Sequence, residues 1–310
     1  MKILNMGSLN LDKVYSVESF VQPGQTIVAS NYGVFCGGKG LNQTIAIARA
    51  GVPVYHAGMI GLDGGILRNI LRDCGANLRF LWCAECDSGH AVIQVNSTGQ
   101  NCIIVYGGAN RLINEKNVNE ALSALSPGDI LLTQNETSGV AYAIETAHEK
   151  GVKVAFNPSP ITPQLLSFPL ELVDLFILNE IEGKELSGCA GTNEEILSAL
   201  GARFPNAEFV LTIGEKGAYY KKGREIYKQS AFPVAVVDTT AAGDTFCGYY
   251  LAAQAKNYTP SEALLIASRA AAISVGRSGA AVSIPSWYEL LDYEIPKPRG
   301  DGDKNAGDTP

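Results

Sequence analysis

Histidine is scarce in this sequence: 310 residues hold three, His56, His90 and His148, each isolated. A histidine-ligated metal centre therefore has no support, and none of the three stands out as a general base. The G-x-S-x-G elbow of a serine hydrolase is missing, which removes that triad chemistry. Cys83-Ala84-Glu85-Cys86 forms a C-x-x-C, but neither a second pair nor paired histidines accompany it. A zinc site needs four ligands, so these read as two ordinary thiols. The seven cysteines are odd in number and scattered, as in a reduced compartment. No apolar run approaches the about 18 residues of a membrane span. Met1–Ser8 lacks the apolar core and cleavage site of a signal peptide and reads as a strand, so a cytoplasmic setting with no membrane partner is expected. Basic residues are in deficit too, 24 against 31 acidic, for a net charge of −7. That argues against a nucleic-acid surface. It also means that a polyphosphate would need local neutralisation by helix N-termini, a few placed cations and metal ions. Tandem repeats are absent.

What is present describes a globular chain, with 46% apolar and 18% charged residues. Residues 2–8 predict a first strand. Residues 14–36 and 89–106 alternate apolar and polar positions around turn signals and predict strands. They interrupt an α/β rhythm and read as one small projecting sheet. A strand at 53–60 and an amphipathic helix over 63–75 precede the second of them. From 115 onward, strands at 129–134, 152–157, 174–179 and 208–213 alternate with helices, and 261–276 is a small-residue helix. Such alternation predicts a mostly parallel sheet covered on both faces. Polar residues cluster at the strand exits: Gln134-Asn135-Glu136, Asn157-Pro158, Asn179 to Glu182, and Thr212 to Gly217. Ligands of such sheets bind beyond those carboxyl ends.

Two glycine-rich stretches carry the chemistry. Gly37-Gly38-Lys39-Gly40-Leu41-Asn42 opens a helix running to Ala50. Counted from Gly33 it approaches a Walker A loop, but Gly40 replaces the Ser or Thr that would hold magnesium, so that reading fails. The glycines instead let a ligand approach the backbone, with Lys39 and Asn42 as hydrogen-bonding groups. The second stretch, Asp238-Thr239-Thr240-Ala241-Ala242-Gly243-Asp244, leads into an apolar helical run. Its small residues would let an anion reach the free N–H groups of a helix start. An acid there would repel the anion unless it works as a base, so Asp244 reads as the acceptor of a proton from an attacking hydroxyl. The plainer alternative is an acid capping a helix.

In this order and over roughly residues 1–290, these motifs resemble the ribokinase family of sugar kinases. Asn10-Leu11-Asp12, Gly107-Gly108-Ala109-Asn110 and Glu136 take part in the match. The resemblance implies a three-layer α/β/α fold with a small β-sheet lid. Residues 1–13, 37–88 and 107–295 would form the kinase body, 14–36 and 89–106 the lid, and 296–310 a flexible tail. It implies transfer of the ATP γ-phosphoryl to a sugar, first of all the 5-hydroxyl of D-ribose. The alternatives are a relative acting on fructose, deoxyribose, fructose 1-phosphate or a nucleoside, and a non-catalytic sugar- or nucleotide-binding protein. It makes Asp244 the base and the N–H groups of Ala241, Ala242, Gly243 and Asp244 the anion hole. Asn10, Asp12, Gly38, Lys39, Asn42, Glu136 and Asp244 would hold the sugar. Asn179, Thr212, Gly214, Gly217 and Ser268 would meet ATP, with Glu182 acting indirectly on Mg2+. A K+ ion would sit among Asp238, Thr240, Ser274, Arg277, Gly279 and Ser283. The lid would pair subunits into a homodimer. Relatives often carry Gly where Ala242 stands, and Gly64-Gly65 after Asp63 departs from their pattern.

Overall fold

The computed structural model describes residues 1–292. Along the chain the strands are β1 (Ile3–Met6), β2 (Asn10–Ser16), β3 (Asn31–Gly37), β4 (Val54–Ile60), β5 (Asn77–Cys83), β6 (Gly89–Val95) and β7 (Asn101–Tyr106). They continue with β8 (Ile130–Gln134), β9 (Lys153–Asn157), β10 (Leu175–Asn179), β11 (Glu208–Thr212), β12 (Ala218–Lys222) and β13 (Glu225–Gln229). The helices are α1 (Lys39–Arg49), α2 (Gly65–Asp73), α3 (Glu115–Leu122), α4 (Val140–Glu149), α5 (Glu180–Ser187), α6 (Asn193–Arg203), α7 (Ala242–Ala255), α8 (Pro260–Val275) and α9 (Trp287–Asp292).

Successive strand side chains point to opposite faces, and this builds two cores. Ile3, Ile130, Leu132, Leu175 and Ile177 face one layer, which also contains the apolar residues of α1, α7 and α8. Leu4, Leu131, Phe156, Phe176 and Leu178 face the other, with α3, α4 and α6. The nine-stranded sheet runs β13-β12-β11-β10-β9-β8-β1-β4-β5. It is parallel from β11 to β5, with β12 and β13 added antiparallel at one edge. α7 is buried along its whole middle, Thr245 to Ala253, which explains why its sequence is apolar on every side.

The second sheet, β3-β2-β6-β7, is separate. Its β2 starts at Asn10, so residues 10–13, expected in the kinase body, pair instead with β3 and β6. Residues 17–30 carry no strand, although the alternation over 14–36 predicts strands throughout. The tail at 296–310, and the last residues of the expected body, 293–295, lie outside the described residues. Among the described residues, no helix is long and apolar enough to cross a membrane.

Candidate active site

The parallel strands end on one side of the sheet, and their exits meet the starts of α1 and α7 there. Asp244 lies in the first turn of α7 and is half-buried. Asn42 Nδ2 donates to its Oδ2 at 2.9 Å, and Gln43 Nε2 donates to its Oδ1 at 2.9 Å. The surrounding protein pushes the Asp244 carboxyl above its ordinary range by desolvation; the Lys39 ammonium and the two amides pull the other way. A raised carboxylate is the better proton acceptor near neutral pH.

Ala241, just before α7, has φ 62°, the left-handed region that a β-carbon disfavours by about 1 kcal/mol. The position whose backbone favours glycine is thus Ala241, while Ala242, where relatives often carry Gly, is the first residue of α7. This twist turns the chain so that α7 starts at the cleft. Ala242 N–H already donates to the Thr239 carbonyl at 3.2 Å. Gly243 and Asp244 occupy the first turn, where N–H groups have no carbonyl one turn earlier to bond.

Lys39 Nζ stands 3.8 Å from Glu136 Oε1, and Lys39 N–H donates to Glu136 Oε2 at 3.2 Å. Ser8 Oγ also donates to that carboxylate. Asn10 lies at the start of β2, where its Oδ1 accepts from Asn110 Nδ2 at 2.8 Å, while Asn110 Oδ1 accepts from Leu9 N–H at 3.0 Å. Burial, and then the Glu136 carboxylate, push the Asp12 carboxyl up to about 6. Gly38 immediately precedes α1.

A cleft of about 170 Å³ lies between Lys39, Asn179, Glu182, Thr212, Gly243 and Asp244. Asn157, Ser159, Leu178 and Ala241 complete its wall. It joins residues expected on the sugar side to residues expected on the nucleotide side. A larger hollow of about 720 Å³, beyond the Asn135–Tyr142 segment, contains none of the predicted site residues, so size does not locate the chemistry. Asn179 and Glu182 form a reciprocal cap at the start of α5: Asn179 N–H and Nδ2 donate to the two Glu182 oxygens at 3.0 and 2.9 Å. Gly214 and Gly217 flank the short turn after β11 and do not line the cleft. Ser268 is buried inside α8, its Oγ without a partner, and the structure does not bring it to the cleft.

Asp238 ties two loops together. Its Oδ1 accepts from Thr240 N–H at 2.8 Å and its Oδ2 from Gly279 N–H at 2.9 Å. Ser274 Oγ and Ser283 Oγ lie 2.8 Å apart, and the Ser274 carbonyl accepts from Arg277 N–H at 3.0 Å. The Arg277 guanidinium turns away to Glu289 at 2.8 Å. Carboxylate, carbonyl and hydroxyl oxygens with no cationic side chain among them fit a hard monovalent ion. Among the described residues no group of three or more His, Cys, Asp or Glu gathers into a metal site. Mg2+ binds mainly through phosphates, waters and one or two carboxylates, so Glu182 at the cleft fits an indirect role.

Sequence reasoning missed Ser8, Gln43, Gln134 and Asn110 as site residues. Asn110 stood within the quoted Gly107–Asn110 motif, which could have flagged it. Gln134 belongs to the polar strand exit Gln134-Asn135-Glu136, which is a local signal; nothing local marks Ser8 and Gln43, whose partners are more than 30 residues away. Gly64 is accounted for: a β-carbon there would meet Ile60 Cβ at 2.5 Å. Nothing lies within 4 Å of one at Gly65, and the structure does not explain that glycine. Cys83 and Cys86 are free thiols, and His56 is fully buried away from the cleft.

The chain is similar to known proteins along nearly its whole length. Ribokinase of Haemophilus influenzae is 35% identical over 93% of this chain and 96% of its own length. Ribokinase of Staphylococcus aureus is 34% identical over 93% of this chain and 98% of its own. The structure of Arabidopsis thaliana ribokinase complexed with ribose and ATP superposes with a TM-score of 0.84 at 30% identity, covering 93% of this chain and 97% of that one. Residues 2–287 match the family described as pfkB family carbohydrate kinase. A carboxylate held at a helix start beyond a parallel sheet, the two glycine-rich motifs, and similarity along nearly the whole length lead to one assignment: this chain belongs to the pfkB family of carbohydrate kinases.

Proposed function

We propose that this enzyme transfers the γ-phosphoryl of ATP to the 5-hydroxyl of D-ribose. The observation that carries the reading is Asp244, held by two amide donors at the start of α7 on the cleft that joins Lys39 to the β10 and β11 exits. Asn10, Asp12, Lys39, Asn42 and Glu136 offer a sugar the amides, carboxylates and ammonium that match a ring of hydroxyls. Asp244 takes the proton of the attacking hydroxyl as its oxygen bonds to the γ-phosphorus and the bond to the β,γ-bridging oxygen breaks. The N–H groups at the start of α7 face the negative charge on the transferring group, and Lys39 adds a positive one. Magnesium would arrive with the nucleotide and neutralise its phosphates, with Asn179 and Glu182 on that side of the cleft. The test is a panel of ribose, deoxyribose, fructose, fructose 1-phosphate and nucleosides with the purified protein, reading ADP release. Preference for ribose in kcat/KM supports the reading, and ADP release independent of every sugar sinks it.

Asp12 provides a sharper check on the sugar side. Its carboxyl, pushed up to about 6, loses charge as pH falls through that value. Ribose kcat/KM should therefore decline below about pH 6. Asp12→Ala should raise the ribose KM by about tenfold or more, with the ATP KM little changed. An equal rise in both constants contradicts the assignment.

A monovalent cation forms part of the same proposal. Asp238, the Thr240, Ser274, Arg277 and Gly279 carbonyls and Ser283 would hold K+ beside the start of α7, fixing the turn in its working shape. Initial rates titrated with potassium chloride should saturate, and a bulky organic chloride at equal ionic strength should not reproduce the curve. Activation should vanish in Asp238→Ala; identical curves for the two salts refute the site.

We also place the enzyme in the cytoplasm, in line with its seven free cysteines. We propose that it forms a homodimer through the small sheet. The outer sides of both edge strands, β3 and β7, have no partner strand among the described residues, and Phe35 on β3 with Ile104, Val105 and Tyr106 on β7 are each more than half exposed. Light scattering should return twice the chain mass for the unmodified protein and the chain mass for Ile104→Glu. A monomeric unmodified protein rejects this surface.

A further inference from the structure

A row of buried amides runs beneath the site and ends on Asp244. Asn5 on β1 and Gln134 on β8 are fully buried, and Gln43 on α1 is 1% exposed. Asn5 Nδ2 donates to the Gly40 carbonyl at 2.8 Å and to Thr44 Oγ1 at 2.9 Å. A carbonyl only accepts, so the Asn5 amide is oriented with its Oδ1 toward Gln134. Gln134 Nε2 donates to that Oδ1 at 2.9 Å and to Gln43 Oε1 at 2.7 Å. With its oxygen engaged, Gln43 presents its Nε2 to Asp244 Oδ1 at 2.9 Å and to Asn157 Oδ1 at 3.3 Å. Each amide fixes the orientation of the next, starting from one backbone carbonyl.

We propose that Gln43 is a positioning residue for the phosphoryl transfer, its amide aimed at Asp244 by the Asn5–Gln134 relay, so that one carboxylate oxygen is held while the other faces the sugar hydroxyl. The inference rests on Asp244 being the base of the proposed reaction. Packing supports it. A β-carbon at Gly248 of α7 would come within 2.4 Å of Ala46 Cβ and 2.9 Å of the Gln43 carbonyl, and one at Gly7 would meet Gln134 Oε1 at 2.2 Å. These glycines bring α1 against α7, and the end of β1 against Gln134, closely enough for short side chains to span the gaps. Asn42 donates to the other carboxylate oxygen, but no second amide holds it; Gln134, whose Oε1 like Asn42 Oδ1 is buried without a partner, is oriented through its Nε2 by the Asn5 and Gln43 oxygens. The charged groups acting on Asp244 are Lys39 at the start of α1 and Glu136 after β8; Cys247 is the titratable neighbour on its own helix.

The relay is tested in the full chain with Gln43→Met, close to isosteric, and with Gln134→Met, which leaves Gln43 in place but frees its amide. Carboxyl carbon NMR, assigned with Asp244→Asn, gives the titration of Asp244 without substrate. The expected result is a midpoint raised by about half a unit or more in Gln43→Met, and by less in Gln134→Met. With ribose and ATP, kcat should fall about tenfold, its acidic limb should move up with the carboxyl, and the ribose KM should stay within about threefold. In the unmutated protein the Gln43 Nε2 protons should shift with the Asp244 midpoint. An Asp244 titration unchanged by Gln43→Met, or Gln43 amide protons indifferent to it in the unmutated protein, overturns the proposal whatever happens to rate or melting temperature. Failure to phosphorylate ribose would instead count against the substrate reading, because the carboxyl titration needs no substrate.

Discussion

Replacing Asp244 with Asn is expected to lower kcat by about a hundredfold or more while ribose still binds. The geometry makes this a clean substitution. Gln43 reaches Asp244 with an amide whose oxygen is held by Gln134, so a new asparagine would place its own oxygen there. Its NH2 would then face Asn42, whose amide can rotate because its Oδ1 has no partner. Both contacts survive with their polarity rearranged, and the first turn of α7 keeps its shape. What disappears is the capacity to accept a proton from the sugar hydroxyl. The measurement is steady-state ADP release beside ribose binding by calorimetry. A kcat within tenfold of the unmutated enzyme would falsify the role of Asp244 as base, and loss of ribose binding together with a lowered melting temperature would mean that the side chain holds the structure rather than the chemistry.

The residues of the site were legible where the chemistry depends on short local patterns. Asp238 to Asp244 could be read because a small-residue turn, an acid and an apolar helix follow one another in the chain. The parallel sheet could be read because buried strands such as β10, Leu175–Asn179, are continuous apolar runs ending in a polar exit. Other features depended on contacts that no local pattern encodes. β5 is half exposed at the sheet edge and is not a continuous apolar run, so its residues gave little signal. β2 begins at Asn10 because it pairs with both β3 and β6, a choice made by residues 15 and more positions away. Gln43 and Asn5 look like ordinary polar residues, and Gln134 like one more strand-exit residue, until α1, β8 and β1 are brought together. Ala241 shows the same limit at the backbone: its left-handed conformation is set by how the turn must enter α7, and the letter alone does not distinguish it from Ala242.

Gly40→Ala is expected to be the second large effect, although the change adds one methyl group. A β-carbon at residue 40 would stand 2.3 Å from the Gly7 carbonyl carbon and 2.4 Å from Ser8 N. Both are backbone atoms at the end of β1, a strand hydrogen-bonded to β4 on one side and β8 on the other, so they cannot yield as a flexible side chain would. α1 must move instead, by about 1 Å for an ordinary carbon–carbon contact. Its first residues carry Lys39, Asn42 and Gln43, and the Gly40 carbonyl is where the amide row is anchored. The shift would therefore lengthen the Lys39–Glu136 contact and both hydrogen bonds to Asp244 at once. A misplacement of that size in a catalytic group costs about a hundredfold in rate. Kinetics should show kcat/KM for ribose reduced by about that factor, with the Asp244 midpoint displaced as in Gln43→Met. Gly65→Ala, where a β-carbon would meet nothing within 4 Å, is the matched control and should leave kcat/KM unchanged. Near-normal kinetics in Gly40→Ala would mean that β1 and α1 separate without effect on the site, and that close backbone packing is not what holds the base in place.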